Sequence, residues 1–327
     1  MLTEHNIAFS RSTRIFSAGL LLGIAFLSGC ASISEQNAVK LATSGKSASS
    51  SALSTIFATD SEYESAMEAE VFFHSYAGVG TPSELLDDWQ QVKTELDARK
   101  AVFSRLTTVY AAFGDLASST APEEIMSAID DFYTALYNYS ALVTTARPLV
   151  PESTSVVVGN IASQLLTVRK GRLIRQSSVI IRQQLECLLL LLDNKLVQEE
   201  MTSFQENLRA SRLNASRLLM KNDLLDPSPM LNDLAADSGF KAVSDARSII
   251  MTSAPLKRGV DGVMAFRIQH YNAGLEQRGY TSTRQALRAL IDEHKKLEKG
   301  EPVTIDELQQ IVNELHSISN LLSGRNQ

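Results

Sequence analysis

The chain has 327 residues, of which 44% are apolar, and a formal net charge of −6. This slight excess of acid excludes the broadly basic surface that sequence-independent nucleic-acid binding requires, so we expect no nucleic-acid partner. The length allows one large domain or two modest ones.

The N-terminal stretch has the layout of a secretory signal. Arg11 and Arg14 precede an apolar run over residues 15–27, and small residues follow. This run is shorter than the roughly 20 residues that span a bilayer as a helix. The order of cations, short apolar run and small residues predicts that residues 1–29 are a cleaved signal peptide.

The tetrapeptide Leu27-Ser28-Gly29-Cys30 resembles, at every position, the lipobox of bacterial lipoproteins. The resemblance implies cleavage before Cys30, with a diacylglyceryl thioether on its sulfur and an acyl group on its new amine. About two anchoring signals give stable membrane attachment, so three chains would suffice. Ala31, where retained lipoproteins carry Asp, implies sorting to the outer membrane with the body in the periplasm. The lipid bilayer is thus the first expected partner, through Cys30.

The segment after the lipobox is dominated by Ala, Ser, Thr and Gly. Such a composition offers little apolar area to bury, so we predict a flexible lipidated tether over residues 30–52. A helix of small residues is the competing interpretation, and Val39 and Leu41 give it limited support.

Residues 53–147 are predicted to form an N-terminal helical hairpin region. Capping signals begin at Thr81 and Thr120, and the apolar residues after each step by four and three. Arg99 interrupts the first of these seams. We expect its stem to lie along the seam with its head in water, the alternative being a buried functional charge. Prolines within residues 147–151 end the region.

Residues 152–327 are predicted to form a C-terminal helical region packed with the first as one unit. Its main feature is a long central helix from about residue 172 to 221, with the apolar run 188–192 surrounded by protein. Shorter helices are expected near the positions that follow: 229–236, 240–252, 259–277, 283–298 and 305–322. The predicted fold class is all-α, an elongated antiparallel helical bundle with coiled-coil-like seams.

The sequence contains no phosphate loop, dinucleotide fingerprint, zinc-protease motif or nucleophile elbow. We therefore predict a protein that is not an enzyme and carries no cofactor. Glu70 with His74, and His294 with Glu298, have the spacing to share a metal. Such pairs more often form simple helix-surface contacts, so no metal site is predicted.

Three further features each allow a plain and a functional interpretation. Cys187 is expected to be a small buried hydrophobe, with a reactive thiol as the alternative. Tyr133 and Tyr137 form either a satellite core contact or a partner surface. The basic cluster is either a solvated helix face or a contact for anionic headgroups. It consists of Arg169, Lys170, Arg172 and Arg175.

Together these features favour a non-catalytic interaction or scaffold protein of the bacterial envelope, anchored through Cys30, with an envelope protein as its partner. The alternative is a periplasmic binding module that holds an apolar small molecule or a lipid between its helices.

Overall fold

The computed structural model describes residues 12–118, 122–143, 170–237, 239, 250, 252–268 and 272–323. Side chains are described from Ser34 onward except at 122, 195–201, 204, 205, 208, 234, 272 and 273. These residues form helices packed together and contain no strand, so the predicted all-α bundle is confirmed. The helices are α1 (Ser12–Tyr76), α2 (Ser83–Ser118), α3 (Pro122–Val143), α4 (Lys170–Leu192), α5 (Lys195–Lys221), α6 (Ser228–Asp237), α7 (Ala254–Phe266), α8 (Asn272–Lys299) and α9 (Asp306–Ser323).

Helix α1 lies at the centre of the bundle. It packs against α2, α4, α5, α8 and α9, more neighbours than any other helix in the described residues has. Its buried face contributes to the main hydrophobic core through small side chains and one large one, namely Ala38, Leu41, Ala42, Ala48 and Ala52. The central element is therefore the first helix of the chain.

The prediction of a flexible tether at residues 30–52 is wrong. These residues are helical, and from Ser34 on the inward side chains are buried, with Leu41 fully enclosed. Small residues serve close packing here: a Cβ at Gly45 would lie 2.3 Å from the ring of Tyr110. The competing interpretation, a helix of small residues, is the correct one.

Helices α1 and α2 run antiparallel: residues further along α1 contact residues that come earlier in α2. Thr107 Oγ1 donates to Ser49 Oγ at 2.9 Å, whereas Lys93 Nζ donates to Asp60 at 2.7 Å. Helix α3 then packs on α2, with Tyr139 beside Arg99. The elongated antiparallel arrangement of the whole bundle stays a prediction.

The predicted long central helix at 172–221 is wrong, because it is two helices that separate at Asp193 and Asn194. The side chain of Asp193 forms ion pairs with Arg284 and Arg288 of α8. Leu192 is the last residue of α4, so its carbonyl lies beyond the regular helical hydrogen bonds. It accepts a hydrogen bond from the hydroxyl of Tyr280. Side chains from a neighbouring helix thus satisfy the polar groups at the break.

The last two helices differ in the accuracy of their predicted bounds. Helix α9 confirms the helix predicted at 305–322. Helix α8 runs through Gly279, where the sequence had suggested an interruption between two helices. A Cβ at Gly279 would lie 2.6 Å from Thr55 Cγ2, so this glycine allows α8 to approach α1 closely.

Some predictions fall on residues that the structure does not describe. They include residues 1–11 of the predicted signal peptide, the boundary at 147–151, most of the helix expected at 240–252, and Arg169 of the basic cluster.

Candidate functional site

Cys30 and the C-terminal end of α1 are widely separated along the same helix. Cys30 lies within α1, and Tyr76 ends it. At a rise of 1.5 Å per residue, the backbone of these two residues is about 70 Å apart. Within the part of the chain that the structure describes, no helix has the length and hydropathy to cross a bilayer.

An exposed apolar surface lies at the Tyr76 end of α1, and we call it the distal patch. It consists of Phe72, Tyr76, Val79, Leu224 and Leu225, and Leu224 is 73% exposed. The rings of Phe72 and Tyr76 are 6.1 Å apart, and Asn222 Nδ2 donates to the Tyr76 hydroxyl at 3.0 Å. That hydrogen bond holds the turn after α5 against the end of α1. Contiguous exposed apolar groups of this kind mark interaction sites.

The rim of the distal patch is acidic. The cations at this end include Lys221, Arg217, which pairs with Asp261 at 2.6 Å, and the groove-lining Arg212 and Arg267. Exposed carboxylates outnumber them: Glu68, Glu84, Asp87, Asp88, Asp223 and Asp226. The distal patch therefore combines apolar area with an excess of exposed carboxylates over cations.

A groove of about 300 Å³ continues from the distal patch between α5, α6 and α7. Leu225 belongs to both surfaces. Three methionines line the groove, Met220, Met230 and Met264. Methionine side chains are flexible and polarisable, so they adapt to the shape of an apolar partner.

Arg99 is buried, in contrast to the prediction that its head would reach water. Its Nε donates to the Tyr139 hydroxyl at 2.8 Å, and its guanidinium pairs with Glu95 at 2.5 Å. The guanidinium also faces the ring of Tyr280 at 5.7 Å. Burial opposes the charged form, but the interactions with Tyr139, Glu95 and Tyr280 raise the pKa of Arg99 overall. The guanidinium thus stays charged inside the bundle.

A cavity of about 90 Å³ lies beside Arg99, between α1, α2, α5 and α8. Ile56, Leu96 and Phe103 give it a largely apolar wall. The lining hydroxyl groups of Thr55, Thr59 and Thr283 each donate to a carbonyl of their own helix, at 2.9–3.0 Å. The wall also includes Arg99, Glu276 and Gln277, so an apolar ligand would lie against the side formed by Ile56, Leu96 and Phe103.

Glu276 lies at the edge of this cavity and pairs with Arg209 of α5 at 2.5 Å. Burial raises the pKa of Glu276 to about 7, against the opposing effect of Arg209. A second carboxylate, that of Glu62, binds Arg212 at 2.8 Å. Helix α5 is therefore held to α8 and α1 by two ion pairs with buried carboxylates.

His294 is fully buried and does not pair with Glu298. Its Nε2 lies 3.1 Å from the Tyr110 hydroxyl, and its Nδ1 lies 2.8 Å from Ser178 Oγ. Glu298 instead accepts from Arg182 at 2.8 Å. Burial, together with the charge of Arg182, lowers the pKa of His294 to about 3. The arrangement joins a Ser, a His and a Tyr, but it is enclosed in the core.

The pair Glu70 and His74 and the described residues of the basic cluster lie on the surface or near it. His74 Nε2 contacts Glu70 at 2.9 Å, the simple i, i+4 contact. Lys170 lies 3.8 Å from Glu35 near the start of the bundle. Arg172 and Arg175 are exposed.

The remaining predictions concern Cys187, the pair Tyr133 and Tyr137, and the apolar run 188–192, and the prediction for the run is partly wrong. Cys187 is half-buried, and burial raises the pKa of its thiol. The rings of Tyr133 and Tyr137 are stacked at 6.5 Å, with Tyr133 packed against the core. Leu190 is 59% exposed, so the run 188–192 is not surrounded on all sides.

The sequence interpretation missed the distal patch and the cavity. Each joins residues from helices that are far apart in the chain, so no local motif marks them. The one local signal was Phe72 with Tyr76, two aromatic residues one turn apart just before a glycine-containing turn.

Comparisons with protein-family models, with curated proteins and with solved structures found no match to this chain. In the described residues, no three or more His, Cys, Asp or Glu side chains lie together as a metal site requires.

Proposed function

We propose that this chain is a non-catalytic, lipid-anchored interaction protein of the bacterial envelope. Cys30 would attach it to the outer membrane, and the helical body would extend into the periplasm. The observation that carries the proposal is that one helix, α1, contains Cys30 and reaches the distal patch about 70 Å away. An anchored protein of this shape presents a binding surface at a distance from its membrane.

The arrangement of polar groups supports a non-catalytic role. A catalytic base must come within hydrogen-bond reach of its substrate. His294 is fully enclosed, with a hydroxyl at each ring nitrogen. Arg99, a buried charge on the seam of α2, is engaged by Tyr139 and Glu95.

Substitution of Cys30 tests the anchor. Wild-type protein should fractionate with membranes and carry the added mass of a diacylglyceryl and an acyl group. Cys30→Ser should lose both properties. As a control, Cys187→Ser removes the other thiol and should change neither. Membrane association and mass that are the same in wild-type and Cys30→Ser protein would refute the proposal.

Cross-linking in whole cells tests the binding surface. A photoreactive residue at position 76 should yield a discrete adduct with an envelope protein. The same residue at position 190 is equally exposed but lies on α4, outside the distal patch, and should yield none. Equal labelling from both positions would mean that the distal patch has no specific role.

The cavity beside Arg99 favours a second candidate function, a binding module for an apolar small molecule. Native mass spectrometry of the purified protein should then show a co-purified apolar molecule. Thr59→Leu would place extra carbon atoms in the cavity and should abolish this species. Thr94→Leu, on an exposed position of α2, should retain it. A ligand-free wild-type protein would count against this candidate.

A further inference from the structure

The distal patch and the methionine groove form one continuous surface, and its chemistry identifies a class of partner. They meet at Leu225, which contributes to both. The surface thus extends from the end of α1, across the turn after α5, to the space between α6 and α7. Such a groove suits the apolar face of a helix, as in other helix-in-groove complexes.

The charges around the surface select among possible occupants. The exposed carboxylates near the end of α1 and the start of α2 include Glu68, Glu84, Asp87 and Asp88. They would repel the anionic headgroups of a membrane and a second copy of the same acidic surface. They would attract lysine and arginine side chains. Arg212 and Arg267 within the groove are already paired, with Glu62 at 2.8 Å and Asp233 at 3.4 Å.

We infer that this surface binds a basic amphipathic helix of another envelope protein. The apolar face of that helix would lie on the distal patch and in the methionine groove, and its lysine or arginine residues would face the acidic rim. The inference rests on the proposed function in that it names the partner class of the interaction surface. It does not depend on how the chain is anchored.

A pair of synthetic peptides tests the inference directly. One is a helical peptide with leucine on one face and lysine on the other; the second has glutamate in place of every lysine. Binding is measured by fluorescence anisotropy with the full-length gene product as isolated from cells, in phosphatidylcholine nanodiscs. We expect the lysine peptide to bind roughly tenfold or more tightly than the glutamate peptide, and less tightly as salt increases.

Two variants with matched controls locate the binding site. The triple variant Phe72→Ser, Tyr76→Ser, Leu224→Ser should weaken binding of the lysine peptide roughly tenfold or more. Leu190→Ser, on an exposed leucine of α4, should leave it unchanged. The charge reversal Glu84→Lys, Asp87→Lys, Asp88→Lys should also weaken binding. The reversal Glu123→Lys, Glu124→Lys on α3 should not.

Three results would overturn the inference. One is equal binding of the lysine peptide to wild-type protein and to the triple variant. A second is absence of binding by wild-type protein at peptide concentrations of about 100 μM, the range of weak contacts. The third is self-association of wild-type protein that the triple variant abolishes. None of them bears on Cys30, so a failure here is distinguishable from a failure of the anchor test.

Discussion

The hydroxyl of Tyr110 lies 3.1 Å from Nε2 of His294, and both side chains are enclosed in the core, where they join α2 to α8. Ser178 of α4 lies 2.8 Å from the other ring nitrogen. Three helices thus meet at one imidazole. Because the surroundings hold that ring neutral, the stability of the bundle should depend on pH.

The first prediction follows from the pKa of His294, which burial lowers from 6.5 to about 3. The folded state keeps the ring neutral between these values, whereas the unfolded state takes up a proton. This contribution to stability is therefore complete above pH 6.5 and decreases as the pH falls towards 3. His294 alone contributes a slope of about 1.4 kcal/mol per pH unit below pH 6. Glu276, whose pKa burial raises to about 7, contributes a slope of opposite sign between about pH 7 and its unfolded pKa. Urea unfolding at pH 7.5, 6 and 5 measures the combined slope.

Two variants separate this effect from other titrating groups. Because glutamine does not titrate, His294→Gln should lower the slope of stability against pH by about 1.4 kcal/mol per pH unit relative to wild type. His316→Gln, on an exposed position of α9, should leave the wild-type slope unchanged. An unchanged slope in His294→Gln would show that other groups govern stability in this range.

The second prediction concerns the close approach of α1 and α2. Gly45→Ala places a Cβ 2.3 Å from Cε1 of Tyr110, which is held in place by His294. We expect a loss of about 1–3 kcal/mol in the free energy of unfolding, as for other overpacked cores. Gly171→Ala is the matched control, since nothing lies within 4 Å of its Cβ. It should be neutral or stabilising by up to about 1 kcal/mol.

The third prediction concerns the buried guanidinium. Arg99→Met removes the cation that Glu95 and Tyr139 bind, and Tyr139 is fully buried. We expect the free energy of unfolding, measured by heat or urea, to fall by about 3–5 kcal/mol. Arg105→Met, also on α2, breaks an exposed pair with Asp131 of α3 and should cost less than about 1 kcal/mol. Similar losses in both variants would contradict the burial of Arg99.

The fourth prediction concerns the ion pairs that hold α5. Arg212→Met deprives Glu62, a buried carboxylate of α1, of this cation. Amide hydrogen exchange should become faster along α5 before it does in α2 or α3. The free energy of local opening of α5 should fall by about 1–3 kcal/mol. Arg278→Met removes an exposed pair with Glu314 and should leave the exchange of α5 unchanged. Uniform acceleration across the bundle would mean that α5 does not open on its own.

The sequence allowed prediction of those helices whose apolar residues repeat at helical spacing. The seam before Ala117 and the helix from Ile125 follow this rule, and their inward residues are buried. The tether was mispredicted because alanine and serine carry little hydrophobic signal. Their small size matters only once a large partner such as Tyr110 is known to pack against them.

The break at Asp193 and the role of His294 depend on partners elsewhere in the chain. Asp193 ends α4 because Arg284 and Arg288 of α8 bind it. His294 looked like half of an i, i+4 pair, but Tyr110 and Ser178 are its partners. Distances of this kind depend on the assembled fold, and no single sequence window contains them.

The position of α1 has a consequence for the order in which the protein is made. Asn37 donates to the carbonyl of Glu301, which lies 264 residues further along the chain. The hydroxyl of Thr55, which donates to Ser51 of its own helix, also lies 3.4 Å from the carbonyl of Leu315, 260 residues further along. The innermost helix is synthesised first, yet its neighbours α8 and α9 emerge last. Long loops must close before such contacts form, so folding of this core is slow. The interior therefore cannot close around α1 until α8 and α9 have been synthesised.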